Sequence, residues 1–99
     1  MQGIAFLREV LADNPKHEQA LFNMGMLSVQ SGQFAKAFDW LTRLAEVNPN
    51  NIEGQILLGV ALAGNGDKEK ARAQYEHVKS LSNDPAVQQQ LDQYIKDLK

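Results

Sequence analysis

The residues of this 99-residue chain that could carry chemistry are few and lie far apart. The two histidines, His17 and His77, have no cysteine or carboxylate at metal-ligand spacing, so neither suggests a metal site or a general base. The run from Gly64 to Asp67 is glycine-rich but lacks the Lys-Ser/Thr pair and the preceding strand of a phosphate-binding loop. No nucleophile is paired with a base. The sequence therefore predicts no catalytic residue, no metal and no cofactor, in a protein that is not an enzyme.

The charge balance of the chain narrows the range of partners. Its 10 basic and 12 acidic residues are interspersed and give a net charge of −2, whereas nucleic acid is bound by a basic stripe that neutralises phosphates. No apolar run approaches the roughly 18 residues of a membrane-spanning helix. We therefore expect no nucleic-acid partner and no direct membrane insertion. The apolar fraction of 43% is ordinary for globular proteins, and we expect a soluble protein, either cytoplasmic or periplasmic.

A repeat of 34 residues determines where the elements lie that position any functional surface. It relates Asn14 to Asn48 and Gly32 to Gly66. The same offset relates Met24-Gly25 to Leu58-Gly59, Lys36-Ala37 to Lys70-Ala71, and Leu41 to Tyr75. Within each segment, apolar residues recur at every third or fourth position, which is typical of an amphipathic helix. A repeat of this length with helical spacing predicts stacked helix-turn-helix units.

Proline and glycine residues divide the chain into six predicted helices. Pro15, Pro49 and Pro85 lie at helix starts or in the turns before them, and Gly32 and Gly66 lie in tight turns that favour positive φ. The predicted helices cover residues 2–12, 17–30, 34–47, 52–64, 68–81 and 85–98. The fold class that we predict is an all-α helical-repeat solenoid, closed at its C-terminal end by a capping helix.

The last predicted helix differs from the others. Its apolar residues form one narrow face and the rest of its surface is polar, which suits a helix that ends a stack. Asp84 is its predicted N-cap. We expect a single domain, 1–99, with a half repeat at 1–15, complete repeats at 16–50 and 51–84, and the capping helix at 85–99.

These positions resemble the tetratricopeptide repeat (TPR) family, in a short form of the bacterial type. The first complete unit matches the family pattern at Met24-Gly25, Gly32, Ala37, Leu41 and Pro49, and the second at Leu58-Gly59, Gly66, Ala71 and Tyr75. The chain departs from the pattern at Leu21 and Gln55, where tryptophan is usual, and at Ser28 and Leu62, where tyrosine is usual. The resemblance implies a solenoid that binds other proteins on a concave surface, formed by the first helix of each unit.

The resemblance places the candidate partner-binding site on this concave surface. The corresponding residues are Gln19, Phe22, Asn23, Met26, Gln30, Glu53, Ile56, Leu57 and Val60. Family members that clamp a peptide's terminal carboxylate use Lys, Arg and Asn here, but only Asn23 matches and Glu53 has the opposite charge. The apolar positions instead predict a groove for a partner helix or an apolar peptide. The alternative is that the groove is buried within the molecule or against another copy.

The first predicted helix matches only the second helix of a unit, so part of its apolar face has no partner within its own repeat. One interpretation is that the chain is the C-terminal part of a longer array. Another is that Ile4, Leu7 and Leu11 mediate self-association. A third is a small complete protein that tolerates the missing partner helix. The alternatives to a peptide-binding module are therefore a structural scaffold or homo-oligomerisation domain, and an accessory domain of a larger protein.

Overall fold

The computed structural model describes the backbone of residues 2–98 and the side chains of residues 5–98. Within this range the chain forms six α-helices and no strand. The helices are α1 (Gln2–Asp13), α2 (Glu18–Gln30), α3 (Phe34–Val47), α4 (Ile52–Gly64), α5 (Lys68–Leu81) and α6 (Pro85–Lys96). Each helix packs on the next, and α2 also contacts α4. The predicted all-α solenoid is confirmed, although the last helix ends two residues earlier than expected.

The turns inside the two helical hairpins are the same structure formed twice. Gly32 and Gly66 have φ values of 75° and 86°, as the sequence predicted, because glycine reaches this region without steric cost. The backbone N–H of Gln33 donates to Ser28 O at 2.8 Å, and that of Asp67 donates to Leu62 O at 2.9 Å. These hydrogen bonds therefore satisfy a carbonyl group in the last turn of α2 and one in the last turn of α4.

Polar side chains cap the N-termini of α2, α4 and α6. Asn51 Oδ1 accepts from Gly54 N at 3.0 Å, and Asp84 Oδ1 accepts from Ala86 N at 2.9 Å, which confirms the predicted cap at Asp84. In α2 the cap is His17, whose Nδ1 accepts from Ala20 N at 3.2 Å. His17 therefore has a structural role, because it satisfies a backbone donor that the helix leaves unpaired.

Glycine allows the two helices of each hairpin to approach closely. A Cβ atom at Gly25 would collide with the side chain of Leu41, and one at Gly59 would collide with the ring of Tyr75. Leu41 and Tyr75 are 0% and 3% exposed, so neither side chain has free space into which it can move. The two crossings are related by the 34-residue offset.

Two adjacent apolar cores hold the array together. The first consists of Leu11, Ala20, Leu21, Met24, Ala37, Leu41, Leu44, Leu58 and Ala61. The second consists of Ile56, Leu62, Ala71, Tyr75, Val78, Leu91 and Leu98. Helix α4 contributes to both cores, and it is therefore the element through which the two halves of the molecule are joined.

Helix α6 is fixed to α5 by an aromatic contact and by hydrogen bonds. The rings of Tyr75 and Tyr94 lie with their centroids 5.5 Å apart. Gln88 Nε2 donates to Lys79 O at 2.8 Å and to Ser82 O at 2.6 Å, and Lys79 forms an ion pair with Asp92. One side chain of the cap helix thereby satisfies a carbonyl group in the last turn of α5 and that of its C-cap residue.

A pair of glutamine side chains, Gln55 buried and Gln74 partly exposed, links α4 to α5, which the sequence did not reveal. Gln55 is only 6% exposed, yet its Nε2 donates to Pro49 O at 3.0 Å. Gln74 Nε2 donates to Gln55 Oε1 at 2.6 Å and to Gln55 O at 3.0 Å. Because each amide has partners, the polar groups are buried without the cost of an unmade hydrogen bond.

We expect Ala37→Leu to lower the free energy of unfolding by about 1–3 kcal/mol, because Ala37 is fully buried and a larger side chain would overpack the first core. Chemical denaturation followed by circular dichroism measures the loss. Ala73→Leu is the matched control, since Ala73 is exposed on α5. Equal stabilities of the two variants would contradict the packing described for Ala37.

We also expect alkaline pH to weaken the fold through Tyr75. Burial, with a smaller contribution from Tyr94, raises the pKa of the Tyr75 hydroxyl from 10.0 to about 12. Its stabilising contribution is therefore complete below pH 10 and is lost as the pH rises from 10 to 12. The melting temperature should fall over this range, and it should fall less in Tyr75→Phe than in the Tyr94→Phe control. Identical declines in the two variants would show that Tyr75 is not responsible.

Candidate protein-interaction surface

The predicted site residues lie on two neighbouring helices, α2 and α4, which are in contact. Five of them are partly exposed, namely Phe22, Asn23, Met26, Leu57 and Val60. Gln19, Gln30 and Glu53 are exposed. These eight residues are called the concave groove below. The structure thus places most of the predicted residues where a partner could reach them, and binding by them stays a prediction.

Ile56 departs from the expectation of an exposed groove residue. It is only 8% exposed and packs in the second core, to which α6 contributes Leu91 and the segment after α6 contributes Leu98. The resemblance placed Ile56 with the neighbouring Leu57, but the cap helix completes a core on this part of α4. Ile56 therefore supports the groove from within and is not available to a partner.

The apolar groove residues differ in how firmly the fold holds them. Phe22 and Leu57 pack against the first core, and Val60 packs against the second. Met26 is partly exposed and belongs to neither core among the described residues. A partner could therefore contact a rigid apolar floor beside one flexible thioether, and methionine adapts readily to varied side chains.

The polar groove residues provide amides and one negative charge. Gln19 Nε2 donates to Asn23 Oδ1 at 3.1 Å, so one amide orients the other along the face of α2. Glu53 is exposed in the first turn of α4. No lysine or arginine is among these eight residues, and a site for a peptide's terminal carboxylate would lack its cation.

The structure describes the side chains of two of the three residues predicted for self-association. The side chain of Ile4 lies outside the residues whose side chains the structure describes. Leu7 is partly buried against the first core, and Leu11 is 6% exposed within that core. Leu11 therefore stabilises its own chain, and the expectation that it faces another copy is not supported.

Phe6, which the sequence analysis did not select, is the most exposed large apolar residue among those described, at 63%. The 34-residue offset could have identified it, since it relates Phe6 to Trp40 on α3. Trp40 packs in part against the first core. Phe6, the equivalent residue on α1, is more exposed to solvent than Trp40.

Sites of other kinds are not evident in the described part of the chain. No three His, Cys, Asp or Glu residues there are grouped to hold a metal ion. None of its helices combines the length and apolar character needed to cross a membrane.

A helical-repeat array with exposed apolar residues on the first helix of each unit is typical of repeat proteins that bind other proteins. The chain belongs to the tetratricopeptide repeat family, whose model matches residues 2–55 and 28–93. The two overlapping matches cover nearly the whole chain, and they confirm the resemblance drawn from the repeated glycine, alanine and proline positions. The fold is that of a protein-interaction module.

Individual relatives agree with this assignment. The chain is 31% identical over 86 residues to BBSome complex member BBS4 of Xenopus tropicalis and 30% identical over 80 residues to the BBS4 homolog of Drosophila melanogaster. These matches cover 86% and 81% of this chain but only 17% and 16% of the relatives. The solved structure of MamA MSR-1 C2 is similar, with a TM-score of 0.72 and 29% identity over 81% of this chain and 46% of MamA.

The difference between a core residue and a groove residue can be measured on two methionines of α2. Met24 is 5% exposed in the first core, and Met26 is partly exposed. We expect Met24→Ala to cost about 2–4 kcal/mol of unfolding free energy and Met26→Ala less than about 1 kcal/mol. Urea denaturation of both variants measures the difference, and equal costs would mean that Met26 is also a core residue.

Proposed function

We propose that this protein binds an amphipathic helix or an apolar peptide of a partner protein in the concave groove. The observation that carries the proposal is the cluster of partly exposed apolar side chains, Phe22, Met26, Leu57 and Val60, on two helices in contact. Contiguous exposed apolar surface is uncommon on soluble proteins and usually marks an interaction site. The family assignment supports it, since stacked helical repeats use their curved surface for binding.

The chemistry of the groove indicates how a partner would be oriented. Its centre is apolar and its edges carry Gln19, Gln30 and Glu53, all exposed. A helix would place its apolar face on the centre, while its polar flanks would meet the amides. The negative charge of Glu53 favours a lysine or arginine on the partner near the start of α4.

The test is selection of peptides from a displayed dodecapeptide library, followed by NMR titration of the 11.0 kDa chain. We expect the selected peptides to be apolar or amphipathic and to shift the amide signals of α2 and α4 around Met26 and Leu57. We expect Met26→Glu to weaken binding by about tenfold, which corresponds to about 1.4 kcal/mol. Met26 is suited to this test because it lies outside both cores.

The matched control is Ala73→Glu, which adds the same charge at an exposed position of α5 and should leave binding unchanged. Circular-dichroism melts of both variants check that neither is unfolded. Signal shifts confined to other helices, or equal weakening by both variants, would overturn the groove proposal.

A second candidate function, homo-oligomerisation, is favoured by the exposure of Phe6. Leu7 beside it is only partly buried, and a second copy could cover the exposed ring of Phe6. A symmetric pair would bury both Phe6 rings with a single set of residues. The protein would then act as a structural scaffold.

Light scattering on a sizing column tests this second candidate. A dimeric wild type that becomes monomeric in Phe6→Glu would support it. Ala12→Glu adds the same charge at another exposed position of α1 and should remain dimeric. A monomeric wild type at the highest accessible concentration would exclude the scaffold and leave the groove proposal intact.

A further inference from the structure

A cleft of about 400 Å³ lies between α1, α2 and α3, away from the concave groove. Its cationic and aromatic lining consists of Arg8 from α1 and Lys36, Trp40 and Arg43 from α3. It is called the basic cleft below. Its residues on α2, which include Met24 and Ser28, lie roughly 130° around the helix from the groove residues, at about 100° per residue. The two surfaces can therefore be occupied independently.

Both repeat units form a cleft at equivalent positions. A second cleft, of about 270 Å³, is lined by residues of α3, α4 and α5. Three of its residues, Asn65, Asp67 and Lys70, stand 34 positions after three residues of the basic cleft, Ser31, Gln33 and Lys36. The backbone arrangement is thus common to both units, and the side chains determine what each cleft could hold.

The side chains that distinguish the basic cleft are not required by the repeat. The positions equivalent to Arg8, Trp40 and Arg43 are occupied by Thr42, Gln74 and His77. The second unit forms the same hairpin without tryptophan or arginine there. Trp40 packs in part against the first core, but the two arginines of the basic cleft are not needed to build the repeat.

Arg43 is held in place at the edge of the cleft. Its Cζ lies 4.8 Å from the centroid of the Trp40 ring, a distance typical of a cation–π contact. Its Nη2 donates to Pro15 O at 3.3 Å. The guanidinium group is exposed and oriented in advance, so little side-chain freedom would be lost when it binds a carboxylate.

The charge of the basic cleft is opposite to that of the whole chain. It is lined by three cations and one anion, Asp39, whereas the chain has a net charge of −2. Among the described residues, no ion pair joins Arg8, Lys36 or Arg43 to a carboxylate.

We infer that the basic cleft docks an acidic peptide segment of a partner protein, with an apolar side chain of that segment against Trp40. Carboxylates of the segment would meet Arg8, Lys36 and Arg43, and the bidentate geometry of arginine suits carboxylate oxygens. This is a second binding surface, separate from the concave groove, so one chain could hold two segments at once.

Trp40 is the sole tryptophan of the chain, so its fluorescence reports directly on occupancy of the cleft. The probe is an end-blocked peptide, Glu-Glu-Leu-Glu-Glu-Leu-Glu-Glu, compared with its counterpart in which every Glu is Gln. We expect a saturable change in emission with the acidic peptide alone, and weaker binding as salt is added. Lys36→Glu should weaken binding by about three- to tenfold.

Arg72→Glu is the matched control, because it makes the same charge reversal at an exposed residue of α5 outside the cleft. It should leave the affinity within about twofold, given the screening of distant surface charges. Equal binding of the Gln peptide, or equal weakening by Arg72→Glu, would overturn the proposal. So would displacement of the peptide by a single-stranded DNA oligonucleotide of equal charge, since the cleft would then be a general polyanion site. A Met26→Glu variant that binds the acidic peptide normally separates this cleft from the groove.

Discussion

The close approach of paired helices at Gly25 and Gly59 is the constraint on which the rest of the molecule depends. At each glycine the facing side chain, Leu41 or Tyr75, occupies the space that a Cβ atom would need. Side chains packed at this density leave the helix axes little freedom to shift. Because both hairpins share this geometry, α2 and α4 come to lie side by side. The concave groove and the clefts follow from that arrangement.

Helix α4 contributes residues to both apolar cores and to the concave groove. Leu58 and Ala61 belong to the first core, Ile56 and Leu62 to the second, and residues between them face the groove. In an array where each unit contacts only its neighbours, the shared helix sets how strongly the units depend on one another. A partner that contacts Leu57 and Val60 would touch residues packed against both cores, and its binding would stabilise their junction.

Sequence reasoning located the helices closely because their ends are decided locally. Glycine at Gly32 and Gly66 and the cap at Asp84 act through the backbone of adjacent residues, and such effects are visible in the chain itself. The burial of Ile56 could not be read in this way, since it depends on where α6 packs. The burial of Leu11 and the exposure of Phe6 depend in the same way on how α1 packs against later helices. Periodicity identifies an apolar face, but only the neighbouring helices decide which part of it is covered.

The amide pair of Gln55 and Gln74 has a consequence for how the chain avoids folding incorrectly. Two hairpins of nearly equal shape could exchange partners, and repeat proteins are prone to such misassembly. The positions equivalent to Gln55 and Gln74 in the first unit are Leu21 and Trp40, which are apolar. Pairing α5 with α2 would place the Gln74 amide against a leucine, without the side-chain acceptor that Gln55 Oε1 provides. The amide pair thus marks the correct pairing, and it acts against the alternative at little cost to the native state.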